Sequence, residues 1–206
     1  MPDSIFAYAR LADPMLRGLR RAMFEISGLK AEQTVLDVAC GTGAQVFEYA
    51  RRGLLATGLD MDPVMLGQAE YYRARFPDLK AAFIKGDAAR MPFESSSFGG
   101  ASISLALHEN AAAAQDAIIR EMRRIIKPGG TLVLADFRAP LPKSPLGYAI
   151  RLIEYAAGSE NRSNFKAYQR EGGLTGILNR SGLGIIREGR AVAGIVRLLA
   201  VTNAAG

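Results

Sequence analysis

The sequence of 206 residues contains one cysteine, one histidine and no tryptophan, and these scarcities narrow the class of protein. A single cysteine, Cys40, cannot form a disulfide within the chain, so a disulfide framework is excluded. One cysteine and one histidine cannot supply an ordinary zinc site either, and we expect no metal centre. This cysteine usage favours a cytoplasmic protein.

Long apolar runs are also missing. The longest has five residues, 5–9, whereas a membrane-spanning helix needs about 20 and a secretory signal about 7–15 near the N-terminus. Hydrophobic residues still make up 49% of the chain and charged residues 22%, which is typical of a globular protein. The length favours one domain with small attachments.

The net charge of +6 is distributed unevenly along the chain. Residues 31–137 carry 11 basic and 13 acidic side chains, whereas residues 138–190 carry nine and four. The basic side chains of the second segment include Arg162, Lys166, Arg170 and Arg180. They predict attraction to an acidic substrate or to an anionic membrane surface, unless they form only a solvated helix face.

Short apolar runs alternate with helical patterns through the middle of the chain. Five predicted strands begin at Val35, Leu54, Ala81, Ala101 and Thr131 and end at Cys40, Asp60, Asp87, Leu107 and Phe137. This alternation predicts an α/β fold with a doubly wound, mostly parallel sheet. Residues 184–188 and 194–202 predict an antiparallel hairpin at its edge, which gives seven strands.

We expect a single domain over residues 1–206, with helical segments outside the alternating core. Three prolines precede two predicted helices, 146–157 and 165–180. The four segments are an N-terminal helical cap (1–30), a ligand-binding core (31–137), a helical substrate cap (138–181) and a C-terminal hairpin of the same sheet (182–206).

A glycine-containing turn follows the first strand, with the sequence DVACGTG at residues 37–43. Glycine lets the backbone approach a ligand closely, and open α/β sheets bind ligands beyond the carboxyl ends of their strands. Val46 stands where a dinucleotide-binding turn has its third small residue, and no basic side chain is present to meet a phosphate. We therefore expect a ligand without a diphosphate, which argues against a nicotinamide oxidoreductase.

Carboxylates end the next two strands. Asp60 can accept hydrogen bonds from both hydroxyls of a ribose; its alternative role, capping the next helix, suits Asp62 better because Pro63 follows it. Asp87 can accept from an adenine amino group or serve only to turn the loop.

Four segments in order resemble the class I S-adenosylmethionine-dependent methyltransferases. They are VLDVACGTG (35–43), GLDMDPVML (58–66), GDAARMPFESSSF (86–98) and IREMRRIIKPGG (119–130). The resemblance is nearest to the branch that methylates small molecules, quinones or lipids. It implies methyl transfer from S-adenosylmethionine to a small-molecule acceptor by in-line displacement, with S-adenosylhomocysteine as the product.

The resemblance also assigns cofactor contacts near the glycine turn. Gly41, Gly43 and the backbone of Ala39 would hold the methionine portion, and Asp37 would lie beneath them near the amino group.

The nucleoside would be bound further along the same rim. Asp60 would take the ribose hydroxyls and Met61 would pack against adenine. Asp87 and Ala88 would read the adenine edge.

The remaining candidates lie at the end of the fourth strand and near the N-terminus. Ser104 or Leu105 would contact the cofactor's amino group, and Tyr8 would touch the cofactor or only pack. His108 and Glu109 stand where an acceptor would enter, and the unperturbed pKa of histidine, near 6.5, suits a catalytic base. Their alternatives are a passive pocket-lining histidine and a solvated carboxylate.

Other functions remain open at this stage. A non-catalytic binding module or an RNA methyltransferase would share the fold. Amino-methylating nucleic-acid enzymes usually have a proline-containing motif after the fourth strand, where this chain reads SLAL (104–107), so we expect no DNA partner. Three aromatic residues of the substrate cap are expected either to contact an aromatic or lipid-like acceptor or to pack in the core: Tyr148, Tyr155 and Phe165.

Overall fold

A computed structural model of the chain describes residues 16–203, and a seven-stranded sheet lies at its centre. The strands are β1 (Thr34–Val38), β2 (Leu55–Asp60), β3 (Ala81–Lys85), β4 (Phe98–Ser104), β5 (Ile126–Phe137), β6 (Ile185–Ala191) and β7 (Val196–Thr202). Their order is β3-β2-β1-β4-β5-β7-β6. The first five are parallel, and β7 pairs antiparallel with β5 and β6. The predicted doubly wound sheet with an antiparallel edge hairpin is confirmed.

Helices cover both faces of this sheet. They are α1 (described over 16–27), α2 (Ala44–Arg51), α3 (Pro63–Arg73), α4 (Ala112–Ile125), α5 (Pro145–Ala156), α6 (Ser159–Arg170) and α7 (Leu174–Ser181). A short 3-10 helix, Leu107–Glu109, lies between β4 and α4. Within residues 16–203, no helix combines the length and apolar character needed to cross a bilayer.

The two faces of the sheet follow from the alternation of side chains along its central strands. Leu36 of β1 and Leu132 of β5 share one core cluster with Met122 of α4. Neighbouring positions point to the opposite face, where Val35 packs with Tyr49 of α2. Because helices cover both faces, the apolar runs of β1 and β5 are buried on both sides.

The direction of winding changes between β1 and β4. From β1 the chain continues to β2 and β3 on one side, whereas β4 leads to β5 on the other. The loops after β1 and β4 therefore diverge, and a crevice opens beyond the carboxyl ends of these strands.

The strand β4 is displaced from its predicted position. It covers 98–104 rather than 101–107, because Leu105 adopts a left-handed backbone conformation (φ 52°) that ends the strand. Residues 107–109 then form the 3-10 helix, which carries His108 and Glu109 away from the sheet plane.

The predicted helix 165–180 is wrong, because two helices occupy this region. Helix α6 ends at Arg170 and α7 begins at Leu174. Gly172 and Gly173 between them have φ values of 86° and 62°, which L-residues with a side chain rarely adopt. The chain therefore turns at the two glycines instead of continuing as one helix.

Candidate active site

A cavity of about 560 Å³ lies at the crevice between the ends of β1 and β4. It reaches from the turn after β1 to the inner side of helix α5. Polar residues at the carboxyl ends of three parallel strands line much of it. The lining includes Asp37, Ala39, Gly41, Asp60, Asp62, Ser104, Leu105, His108, Glu109, Phe137 and Glu154.

The backbone of the turn after β1 is held in an unusual shape. Ala39 and Gly41 both have a φ of 53°, and Leu105 at the end of β4 has 52°. Non-glycine residues rarely adopt this region, and they cluster at functional sites when they do. Gly43 (φ 77°) is the N-cap residue just before α2, and a Cβ added there would lie 2.5 Å from the Phe83 ring. Gly43 is therefore required for packing the turn on β3.

Asp60 ties the end of β2 to this turn. Its carboxylate accepts a hydrogen bond from the Gly41 N–H at 2.7 Å and another from the Asp62 N–H at 2.9 Å. Asp62 caps α3 instead, accepting from the Val64 N–H at 2.7 Å. Asp60 is thus free of the capping role and faces the cavity.

Asp37 is buried beneath the same turn. Its Oδ1 accepts a hydrogen bond from the Ser102 hydroxyl at 2.6 Å. Burial raises the pKa of Asp37 to about 7, with the nearby charge of Asp60 adding to it and the Ser102 hydrogen bond opposing it. A cation bound above the turn would favour the ionised carboxylate.

The opposite end of the cavity is built around His108. Its ring is 2% exposed, and Nδ1 lies 2.6 Å from Asp136 Oδ1. Nε2 faces two further carboxylates, Glu154 Oε1 at 3.6 Å and Glu109 Oε1 at 3.9 Å. The Phe137 ring lies beside the imidazole, with centroids 4.7 Å apart, so this end combines an apolar wall with hydrogen-bonding groups.

These carboxylates change the protonation of the histidine. Burial by itself lowers the pKa of His108, but the charge and hydrogen bond of Asp136, together with Glu154, outweigh it and raise the pKa to about 10. A pKa in this range makes His108 an imidazolium at neutral pH, and its predicted catalytic role stays a prediction. Burial also raises the pKa of Glu109, although the charge of His108 opposes it.

Comparison with known proteins agrees with this geometry. Residues 35–130 match the family described as "Methyltransferase domain". Two demethylmenaquinone methyltransferases are similar: one from Beutenbergia cavernae is 34% identical over 72% of this chain and 60% of that protein, and one from Renibacterium salmoninarum is 40% identical over 60% and 49%. These matches support the class I S-adenosylmethionine-dependent methyltransferase family for this chain. It spans only about half to three fifths of the length of these two relatives.

Solved methyltransferase structures share the fold. A SAM-dependent methyltransferase from Methanosarcina mazei has a TM-score of 0.65 at 22% identity, covering 86% of this chain and 95% of that one. Phosphoethanolamine N-methyltransferase 2 from Haemonchus contortus, in complex with S-adenosyl-L-methionine, has a TM-score of 0.73 at 16% identity, covering 100% and 58%. At such low identities, the TM-scores show a common fold and no more.

About half of the residues that the methyltransferase resemblance assigns to the cofactor line the cavity. The predicted residues in its lining are Asp37, Ala39, Gly41, Asp60, Ser104 and Leu105. The others within residues 16–203, Gly43, Met61, Asp87 and Ala88, are not among the lining residues. Tyr8 lies outside the described residues.

The contacts of Asp87 match its alternative role in turning the loop. Its Oδ1 accepts from the Ala89 N–H at 2.8 Å. Met61 is 62% exposed at the rim. Adenine recognition by these two side chains stays a prediction.

The charged side chains that line the cavity suit a methyltransferase cofactor. Five carboxyl side chains line it, compared with one arginine and one histidine: Asp37, Asp60, Asp62, Glu109 and Glu154. S-adenosylmethionine carries a sulfonium and an ammonium group, so an acidic lining complements it, whereas a dinucleotide diphosphate would be repelled. The residues present therefore fit this cofactor.

Sequence reasoning missed two residues of the site, Asp136 and Glu154. Asp136 follows the apolar residues of β5 and, like Asp37 and Asp60, stands near the carboxyl end of a strand, which is a usable signal. Glu154 is the one acidic residue of α5, and helical spacing aligns it with the buried Gly147 and Ile150. A lone carboxylate on the buried face of a helix indicates a functional group.

Two expectations for the substrate cap are corrected. Tyr148 and Tyr155 are exposed on the outer side of α5 and do not line the cavity, whereas Phe165 is buried against Phe137. Arg180 forms ion pairs with Asp116 of α4 and with Glu171, the residue that follows α6, so it is not part of an unpaired basic face.

Proposed function

We propose that this chain transfers a methyl group from S-adenosylmethionine to a small quinone-like acceptor in its reduced, hydroxyl-bearing form. One observation carries the proposal. A single cavity has two ends of different chemistry. Asp37 and Asp60 lie at one end, which suits a cationic cofactor. Phe137, His108 and Glu154 lie at the other end, which suits an aromatic ring with a hydroxyl group.

At the cofactor end, the proposal gives each residue a task. Asp60 accepts hydrogen bonds from ribose hydroxyls, Asp37 stabilises the ammonium group, and the open backbone at Gly41 permits close approach. Adding a Cβ at Gly41 would meet no protein atom within 4 Å. When bound, S-adenosylmethionine supplies a methyl group activated by the positive charge on its sulfur.

At the acceptor end, the side chains position and deprotonate a hydroxyl. Glu154 and Glu109 can accept its hydrogen bond and then its proton, and the His108 imidazolium, oriented by Asp136, stabilises the resulting oxyanion. His108 thus acts as a cation rather than as the base. Phe137 packs on the acceptor ring and excludes water.

The acceptor class is suggested by the relatives named demethylmenaquinone methyltransferases. A non-catalytic binding module and an RNA methyltransferase are less well supported, because the cavity contains ionisable groups at its acceptor end as well as its cofactor end. We also propose a cytoplasmic location with the substrate cap (138–181) contacting an anionic membrane surface. Cell fractionation tests the location.

Methyl transfer to 1,4-naphthohydroquinone tests the function. With S-adenosylmethionine labelled on its methyl group, we expect labelled product from the hydroquinone and none from its dimethyl ether, which has no hydroxyl proton. Glu154→Gln should lower kcat/KM by about 100-fold, a typical loss for an acid–base group.

Glu160→Gln is the matched control, since Glu160 is an exposed carboxylate on the neighbouring helix α6. Its kcat/KM should stay unchanged. Absence of product from the hydroquinone with the wild-type chain would refute the acceptor class. Full activity of Glu154→Gln would refute only the role of Glu154.

A further inference from the structure

Helix α5 has an apolar face that points to solvent. Tyr148 is 58% exposed, Leu152 73%, Ile153 48% and Tyr155 42%. The spacing of Tyr148, Leu152 and Tyr155 places them on one stripe of the helix. A soluble protein rarely exposes a contiguous apolar surface unless something binds it.

The two charged residues of α5 do not lie on this stripe, since Arg151 stands at its border and Glu154 lies on the cavity side of the helix. Arg151 donates hydrogen bonds to the backbone carbonyls of Leu141 and Pro142, and Glu154 faces the cavity. The outward face of α5 (Pro145–Ala156) thus has only apolar and aromatic side chains.

Cations border the stripe on both sides. Arg162 and Lys166 of α6 stack over the Tyr155 ring at 5.7 and 4.9 Å, and Arg151 stacks over the Tyr148 ring at 5.4 Å. Lys143, just before α5, is exposed. Aromatic and aliphatic side chains bordered by lysine and arginine are the composition of surfaces that lie in a membrane interface.

We propose that the outer face of α5, with its bordering cations, docks onto an anionic lipid bilayer. Leu152 and the two tyrosine rings enter the headgroup region, and Arg162 and Lys166 bind lipid phosphates. A second copy of the chain fits this face poorly, because pairing would bring the same cations together. The inference deepens the proposed function and rests on it, since a lipid-soluble quinone enters from the bilayer and Glu154 places the same helix at the cavity.

Vesicle co-sedimentation tests the docking surface. We expect the wild-type chain to bind vesicles of mixed phosphatidylcholine and phosphatidylglycerol more tightly than phosphatidylcholine alone. Tyr148→Asp and Leu152→Asp should each weaken binding about tenfold, since each removes a buried apolar side chain from the interface. A double variant with Arg162→Glu and Lys166→Glu, which reverses both charges, should lose the preference for the anionic vesicles.

Tyr71 provides a matched control. It is 56% exposed on α3 and stacks under Arg75 at 5.0 Å, as Tyr148 does under Arg151, yet it lies on another surface. Tyr71→Asp should therefore leave vesicle binding unchanged, and equal thermal unfolding of all variants should show that they fold.

Three results would overturn the inference. They are no binding of the wild-type chain to anionic vesicles, unchanged binding of Tyr148→Asp and Leu152→Asp, or a wild-type dimer in sedimentation equilibrium that Leu152→Asp converts to monomer. The binding assay needs neither cofactor nor acceptor. If the chain transfers methyl groups but does not bind vesicles, only the docking surface is refuted. If it binds vesicles but does not transfer methyl groups, only the proposed function is refuted.

Discussion

At the scale of single residues, the cavity is controlled by carboxyl groups whose neighbours differ. Asp60 is tied to backbone N–H groups at the rim, Asp37 is buried under the turn, and Asp136 holds the histidine. The same chemical group therefore serves as a ligand-facing acceptor at one position and as a buried anchor at another.

Asp60→Ala should weaken S-adenosylmethionine binding by about 1–3 kcal/mol, because the ribose hydroxyls lose their acceptor. Isothermal titration calorimetry measures the change. Glu70→Ala, at an exposed carboxylate of α3, should bind as the wild-type chain does. Equal affinity of Asp60→Ala and Glu70→Ala would refute the ribose role.

The raised pKa of His108 predicts how stability depends on pH. The folded histidine keeps its proton up to pH about 10, whereas the unfolded one loses it near 6.5. The stabilisation of the folded chain by protonated His108 is therefore complete below pH 6.5 and is lost as the pH rises towards 10. The free energy of unfolding should fall by up to about 1.4 kcal/mol per pH unit between these values.

Urea unfolding of the wild-type chain and of His108→Gln measures this contribution. Groups remote from His108 titrate alike in both chains, so the difference reports the histidine together with the three carboxylates that it contacts: Asp136, Glu109 and Glu154. It should shrink as pH rises from 7 to about 9. A difference that stays constant over this range would contradict a raised pKa.

At the scale of elements, the junction between α6 and α7 shapes the substrate cap. Just before this junction, Tyr168 of α6 donates a hydrogen bond to the Phe137 carbonyl, and Asn164 of α6 donates one to the Glu109 carbonyl. The cap is thus fastened to both edges of the acceptor end.

Gly173→Ala should lower the free energy of unfolding by about 1–3 kcal/mol, a typical cost of backbone strain. The new Cβ would lie 2.8 Å from the Ala139 Cβ, at a φ of 62°. Gly184→Ala, where an added Cβ meets nothing within 4 Å, should change it by less than about 0.5 kcal/mol. Equal unfolding midpoints in urea would contradict a strained junction.

At the scale of the whole molecule, the doubly wound sheet with its edge hairpin could be predicted because its strands and helices follow from local sequence patterns. The apolar run that begins at Val35 and the carboxylate at Asp60 can each be recognised from neighbouring residues in the sequence. The histidine site could not be predicted in full, since Asp136 lies 28 residues from His108 and the distant Glu154 arrives on the cap. The end of β4 was misplaced because Leu105 has no sequence signature of a left-handed conformation.

The central claim is that the crevice between β1 and β4 is an S-adenosylmethionine site, and calorimetry with two cofactors tests it most directly. The acidic lining and the glycine turn predict that S-adenosylmethionine and S-adenosylhomocysteine bind to the wild-type chain, whereas NAD gives no binding heat. Tight binding of NAD, with none of S-adenosylmethionine, would contradict the account.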